Sequence, residues 1–218
     1  MAVSLSAVMS GIEGATKERE GQLVLASPNQ NICYMSAHDN YTLYDQLSAT
    51  MQGEDNIIRA TKFGAFYIQS SLGVPFMLAG EEFCRTKHMN DNSYNADDSI
   101  NMLDWDRRDY YGAVVDYYKG LISIRKHNKQ FRDLDKAVDN FRWLDIRADW
   151  GALAYAIGDY IYIANPTYNN AVVDLTSFGK LEKLADINTA GIRKLGEASG
   201  TITIGAQDVA IFRRVDFE

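Results

Sequence analysis

Two short apolar runs, each breaking off into polar residues, organise the first half of the chain. Asn31 to Ser36 runs into Ala37-His38-Asp39-Asn40, and Val74 to Ala79 runs into Gly80-Glu81-Glu82. Apolar runs of this length with abrupt polar ends predict short buried strands. Between them, Thr42 to Ala49 predicts a short helix. Ile57, Ile58, Ala60, Phe63, Ala65, Phe66 and Ile68 then recur at the spacing of a mostly buried helix over 57–70. Gly73-Val74-Pro75 ends that helix and starts the second strand, where a missing donor is tolerated. A strand, a helix and a strand of these lengths predict a parallel crossover unit. Upstream, residues 1–29 combine a helix-prone stretch with a polar loop. Downstream, Arg85 to Arg108 reads as a long loop rich in Asn, Asp and Ser, a kind of segment that is usually functional. Val114, Val115, Tyr118, Leu121, Ile122 and Ile124 predict a helix over 111–127.

Beyond Gln130 the period shortens. Residues 152–157, 160–164, 171–175, 181–185, 201–204 and 209–213 predict short strands, with Gly158-Asp159 and Asn169-Asn170 as turns. The second half is therefore expected to be an antiparallel β-sandwich. The fold class is α/β plus all-β, with an α/β segment over 1–130 and a β-domain over 131–218.

Composition narrows the function classes. The 218 residues are 46% hydrophobic, enough for a sizeable core. A net charge of −7 with no basic stripe argues against nucleic-acid partners. No apolar stretch approaches the ~20 residues of a membrane helix, so no membrane partner is expected. Cys33 and Cys84 do not make a disulfide framework, and Cys33 reads as a small buried hydrophobe. Met1 to Ile12 lacks a basic leader and is not read as a signal peptide. The compartment stays open.

Several residue groups carry candidate chemistry. His38-Asp39 is either a strand-end turn in which Asp39 caps the next helix or part of a site. Glu81 and Glu82 are either a paired acid and base or an acidic cluster at a helix N-terminus, and the second reading is favoured. Arg85 and the loop Asn92-Ser93-Tyr94-Asn95 offer planar polar groups, while Tyr41, Tyr94 and Trp105 offer aromatic faces, a pairing suited to sugars. The same loop is equally readable as a solvated Asn-rich turn. Asp91-x-Ser93-x-Asn95 hints at calcium but lacks the central Gly and terminal Glu of such loops. His88 and His127 have no partners at ligand spacing, and no cofactor is expected. Tyr110, Tyr111, Tyr117 and Tyr118 are read as core and helix-packing residues. Trp143, Trp150, Tyr155 and Tyr162 are read as core of the β-domain rather than as sugar platforms.

Taken in order, His38-Asp39-Asn40, Gly73-Val74-Pro75-Phe76, Gly80-Glu81-Glu82-Phe83, Asn92-Ser93-Tyr94-Asn95 and Asp104-Trp105 resemble one family. It is the type I pullulanases of the α-amylase superfamily (glycoside hydrolase family 13), in their C-terminal part. The resemblance spans about residues 9 to 128 and continues more loosely to the end. It implies the last two strands of a (β/α)₈ barrel with their helices, followed by a C-terminal β-domain. It also implies α-1,6-linked glucan, such as pullulan or branched starch or glycogen, as substrate of the whole enzyme. Asp39 matches the acid that stabilises the distorted sugar in the transition state, and His38 a donor to the same sugar. Asn40, Tyr41, Arg85, Asn92, Tyr94 and Asn95 are the candidate substrate contacts, and by the same resemblance Glu81-Glu82 helps close the barrel.

Retaining glycosidases need a nucleophile and an acid about 5–5.5 Å apart. In that family both come from the fourth and fifth barrel strands, and no substitute pair with the same surroundings occurs here. The chain alone is therefore expected to be inactive. Open strand edges are expected to drive pairing with the N-terminal half or self-association. The alternative is a non-catalytic α-glucan-binding or scaffolding protein.

Overall fold

A computed structural model describes residues 4–19 and 21–215. Helix α1 (Leu5–Ile12) precedes strand β1 (Ile32–Cys33), helices α2 (Leu43–Thr50) and α3 (Glu54–Ser70), and strand β2 (Val74–Pro75). β1 and β2 pair in parallel, with Ile32 opposite Val74 and Cys33 opposite Pro75, so the crossover unit is present. The strands are far shorter than the apolar runs at 31–36 and 74–79. In this two-stranded sheet each strand has a neighbour on one side only. The ladder lasts from the Val74 amide on the Asn31 carbonyl (2.7 Å) to the Phe76 amide on the Cys33 carbonyl (2.9 Å). Beyond that the two runs carry no further ladder. Ile32, Tyr34, Val74 and Phe76 stay exposed, with the Tyr34 and Phe76 rings edge to face at 6.0 Å. Cys33 is buried as expected.

The polar stretch 85–108 is not structureless. It holds helices α4 (Asp98–Asn101) and α5 (Trp105–Tyr110). Asp104 caps α5 through the amides of Asp106 and Arg107. Helix α6 (Gly112–His127) buries Val114, Val115, Tyr117, Tyr118, Leu121 and Ile124, close to expectation. Tyr110 departs from it: three-quarters exposed, it lies just outside the buried stripe that takes Tyr111, Tyr117 and Tyr118.

After helix α7 (Leu134–Ala137) come β3 (Phe141–Trp143), β4 (Ile146–Arg147), β5 (Leu153–Ile157), β6 (Tyr160–Asn165), β7 (Ala171–Asp174), β8 (Leu181–Ala185), β9 (Gly196–Ala198), β10 (Thr201–Ile204) and β11 (Asp208–Arg214). They form two antiparallel sheets, ordered β3-β5-β6-β11-β8-β9 and β10-β7-β4. β5 and β6 make a hairpin across Gly158-Asp159, where Gly158 takes φ +60°. The Asn169-Asn170 turn instead carries the chain from one sheet to the other. β5 and β6 are buried throughout, on both faces. Ala154, Ala156, Ile161 and Ile163 pack with Val173, Leu175 and Ile204 of the smaller sheet. Leu153, Tyr155, Ile157 and Tyr162 pack with Phe66, Leu72, Tyr117 and Leu121 of the helical part. Trp150 is not among them: it sits in the β4–β5 turn, 78% exposed.

One core thus spans both halves. The Tyr155 ring stacks between Phe141 (5.6 Å) and Tyr162 (5.4 Å), and its hydroxyl pairs with Ser70 Oγ at the end of α3. Arg125 of α6 donates to the carbonyls of Gln69, Ser71 and Gly73 at 3.0, 2.7 and 2.8 Å. Its guanidinium lies 3.9 Å over the Phe131 ring, and burial lowers its pKa to about 10, still charged at neutral pH. A Cβ on Gly120 would stand 1.9 Å from the Ala190 carbonyl oxygen, so α6 meets the segment after β8 backbone to backbone.

Glu81 fastens the polar ends of the two runs together. Its carboxylate accepts from Ser36 Oγ (2.8 Å) and the Tyr118 hydroxyl (3.2 Å). Burial raises its pKa, with the neighbouring Glu82 adding to the effect and the two hydrogen bonds opposing it. The folded state therefore holds this proton more tightly than the unfolded chain. The group favours folding at low pH and opposes it as pH rises between the unfolded value, about 4.3, and the raised folded one.

Two outcomes follow for stability. Tyr155→Ala is expected to cost about 3–5 kcal/mol in urea unfolding, within one cooperative transition because the halves share a core. Two separate transitions would show that they unfold independently. Glu81→Gln removes the titration just described. Its stability relative to the unsubstituted protein is expected to rise as the pH rises above the unfolded value of about 4.3, and a pH-independent difference would contradict the assignment.

Candidate functional site

At the polar end of the β1–β2 pair the chain forms a cleft of about 230 Å³ lined by His38, Asp39, Arg85, Lys87, Asn92 and Tyr94, among others. Glycine-like backbone at Asn40 (φ +61°) turns the chain directly after Asp39. His38 Nε2 lies 3.4 Å from Asp39 Oδ2, and both side chains are more than three-quarters exposed. Asp39 does not cap the next helix: Thr42 does, accepting from the Asp45 amide at 3.2 Å.

The turn is held from beneath by a buried pair that sequence reasoning missed. Asp45, in the first turn of α2, accepts from Thr86 Oγ1 and from the Lys87 amide (2.8 Å). Lys87 in turn donates through Nζ to the His38 carbonyl at 2.9 Å. Both side chains are at most 5% exposed. Burial and the nearby Arg85 lower the Lys87 pKa, while Asp39 and Asp45 counteract. Charged donors bonded to a carbonyl in such surroundings are strong restraints. Thr42-x-x-Asp45 was the available signal, since a Thr followed three residues later by an acid marks a capped helix start. Here the acid reaches across to another loop instead.

The far wall is built differently. Asn101 of α4 donates to the carbonyls of Ser93 (2.7 Å) and Ala96 (3.1 Å), which fixes the Asn92–Asn95 loop from behind. The Asn92 amide donates to Asn90 Oδ1 at 3.0 Å, a side-chain turn of the kind expected. Arg85 donates to the Ala79 carbonyl (3.2 Å) and the Asn101 carbonyl, and its Nε has no partner. Burial lowers its pKa. Tyr94 stands out over the cleft, 83% exposed.

The structure thus gathers His38, Asp39, Arg85, Asn92 and Tyr94. Asn40 lies next to them at the turn. Tyr41 and Asn95 do not line the cleft, and the Tyr41 carbonyl accepts from Gln46 Nε2 (3.0 Å). Trp105 is exposed but packs beside Phe83, 5.9 Å away. Glu81 and Glu82 are also outside it. They start a 3₁₀ turn, Glu81–Phe83, where Glu82 accepts from the Gly80 amide. Among the described residues no three His, Cys, Asp or Glu side chains come together as metal ligands. None of the helices among those residues is long and apolar enough to cross a membrane.

No family model matches the chain. Curated relatives do. The chain is 40% identical over 144 residues to the pullulanase of Bacillus subtilis (strain 168), covering 65% of this chain and 20% of that protein. It is 40% identical over 81 residues to the chloroplastic pullulanase 1 of Arabidopsis thaliana, covering 36% of this chain and 8% of that one. Among solved structures, the pullulanase from Bacillus acidopullulyticus superposes with a TM-score of 0.83 at 28% identity, covering 95% of this chain and 26% of the other. The type I pullulanase from Bacillus subtilis complexed with maltose gives 0.83 at 26% identity, over 96% and 31%. The chain therefore matches only 8% to 31% of the length of these proteins. In sequence and in fold it is similar to the type I pullulanases of the α-amylase superfamily, matching their C-terminal part alone.

Proposed function

We propose that this chain is the C-terminal portion of a pullulanase-like glycoside hydrolase acting on α-1,6 linkages of pullulan, branched starch or glycogen. Residues 1–130 supply the last two strands of a (β/α)₈ barrel with their helices, and residues 131–218 a β-sandwich. The observation that carries this reading is the cleft itself. A parallel strand pair delivers Asp39 and His38 at its polar end, where barrel enzymes build their sites, and places Arg85, Asn92 and Tyr94 opposite. The maltose bound to the Bacillus subtilis relative supports an α-glucan as ligand.

In this reading Asp39 and His38 hydrogen-bond hydroxyls of the sugar undergoing cleavage. Groups fixed in advance cost no reorganisation when the sugar flattens toward its oxocarbenium-like transition state. By the family resemblance, Asp39 is the acid that stabilises the distorted sugar, with His38 Nε2 3.4 Å from its carboxylate. Proton donor and nucleophile come from polypeptide that pairs with the open edges of β1 and β2, and the chain alone is inactive. Arg85, Asn92 and Tyr94 bind the glucan, with Asn40 shaping the turn and Tyr41 and Asn95 as outer contacts.

Reducing-sugar release from pullulan tests this. The purified chain is expected to release none, and co-expression with the upstream part of a type I pullulanase to restore release. Asp39→Ala in the restored enzyme should lower kcat about 10²–10³-fold. Release by the chain alone would sink the reading. Affinity for pullulan without any restorable hydrolysis would favour a binding or scaffolding protein. Lys87→Met, which lets go of the His38 carbonyl, should lower kcat about ten- to a hundredfold in the restored enzyme with little change in Tm. Unchanged kcat would show that the buried lysine serves stability alone.

A further inference from the structure

A second feature of the β-rich part is not used by the cleft. Trp150 and Tyr168 are 78% and 84% exposed, among the most exposed large side chains of the described residues. They sit on different connections, β4–β5 and β6–β7, and Pro166 lines a cavity beside each of them. Trp150 and Pro166 border one cavity of about 620 Å³, and Tyr168 and Pro166 border an adjoining one of about 640 Å³.

These loops are rigid for a reason visible in the bonding. Asn165 is fully buried and donates to the carbonyls of Asn169 (2.8 Å) and Gly205 (2.8 Å). Its Oδ1 accepts from Thr167 Oγ1 at 2.7 Å. The Gln207 amide donates to the Thr167 carbonyl at 2.9 Å, which ties in the β10–β11 turn. Asn169 Nδ2 donates to Asp149 Oδ2 at 2.8 Å and locks the two aromatic-bearing loops to each other. Gly151, at φ +106°, lets the chain double back beside Trp150. Holding two large rings in water on a fixed framework gains nothing for folding. It lowers the ordering cost of binding.

We infer that Trp150, Pro166 and Tyr168 form a second carbohydrate site, a stacking shelf for an α-1,4-linked gluco-oligosaccharide, separate from the Asp39 cleft. Sugar rings offer apolar C–H faces to aromatic rings and hydroxyls to neighbouring amides. The cavity beside Tyr168 supplies such groups in Gln52, Asn56, Arg59 and Gln207. Charged partners fit less well, because Asp149 and Arg59 offer opposite signs. The ligand class rests on the α-glucan reading above, but the location does not.

Titration of the full chain with maltoheptaose, followed by ¹⁵N amide shifts, tests the shelf directly. Shifts are expected at 149–151 and 166–169. Trp150→Ala and Tyr168→Ala should each weaken this binding about fivefold or more with unchanged Tm. Trp150→Tyr should retain most of it, and Asp39→Ala all of it. Shelf binding without any cleft response would leave this inference standing and count against the cleft. Shifts confined to the cleft, undiminished affinity in both alanine variants, or no response to maltoheptaose would overturn the shelf. So would self-association abolished by Trp150→Ala in a protein that binds no sugar.

Discussion

The guanidinium of Arg125 is the point on which the helical part of the molecule is hung. Helix ends leave carbonyls without intrahelical partners, and a buried end must find donors elsewhere. α3 ends in the interior, and Arg125 reaches over from α6 to the carbonyls of Gln69, Ser71 and Gly73. Those three residues lead straight into β2. The same side chain fixes where α3 stops, where β2 starts, and how α6 lies across both. Its planar, permanently charged fork suits three carbonyls in a row where an ammonium would serve one or two. The position of β2 then sets β1, and with it the turn that carries Asp39.

Much of this frame was legible from pattern alone. α3, α6, β5, β6, β8, β10 and β11 bury regular faces, so their periodicity survives in the sequence. β3, β4 and β9 did not stand out, being two or three residues long and existing only because a partner runs alongside. β1 and β2 were overdrawn for the converse reason: apolar residues continue after the ladder has ended. Tyr110 and Trp150 show the limit of composition, since an aromatic side chain reads alike whether it fills a core or faces water.

The site was legible as a list of residues but not as an arrangement. His38, Asp39, Arg85, Asn92 and Tyr94 could be named because they sit in short motifs. Lys87 could not, and Asp45 only as part of a helix start, because their bonds join segments 42 and 49 residues apart. Nothing local distinguishes a lysine that grips a distant carbonyl from one in solvent. The shelf at Trp150 and Tyr168 was hidden for the same reason: its scaffold is one buried asparagine whose partners lie on two other turns.

Gly120 bears on how such a molecule can be rearranged over evolutionary time. At that point the helical and β-rich parts touch backbone to backbone, with no side chain between them to be exchanged. A joint of side chains tolerates substitution by compensating changes in size, whereas a joint of main chain is fixed in distance. The β-rich part therefore does not behave as a portable cassette. Transplanted onto another helical frame, it would need a glycine at the matching turn and a serine to meet Tyr155.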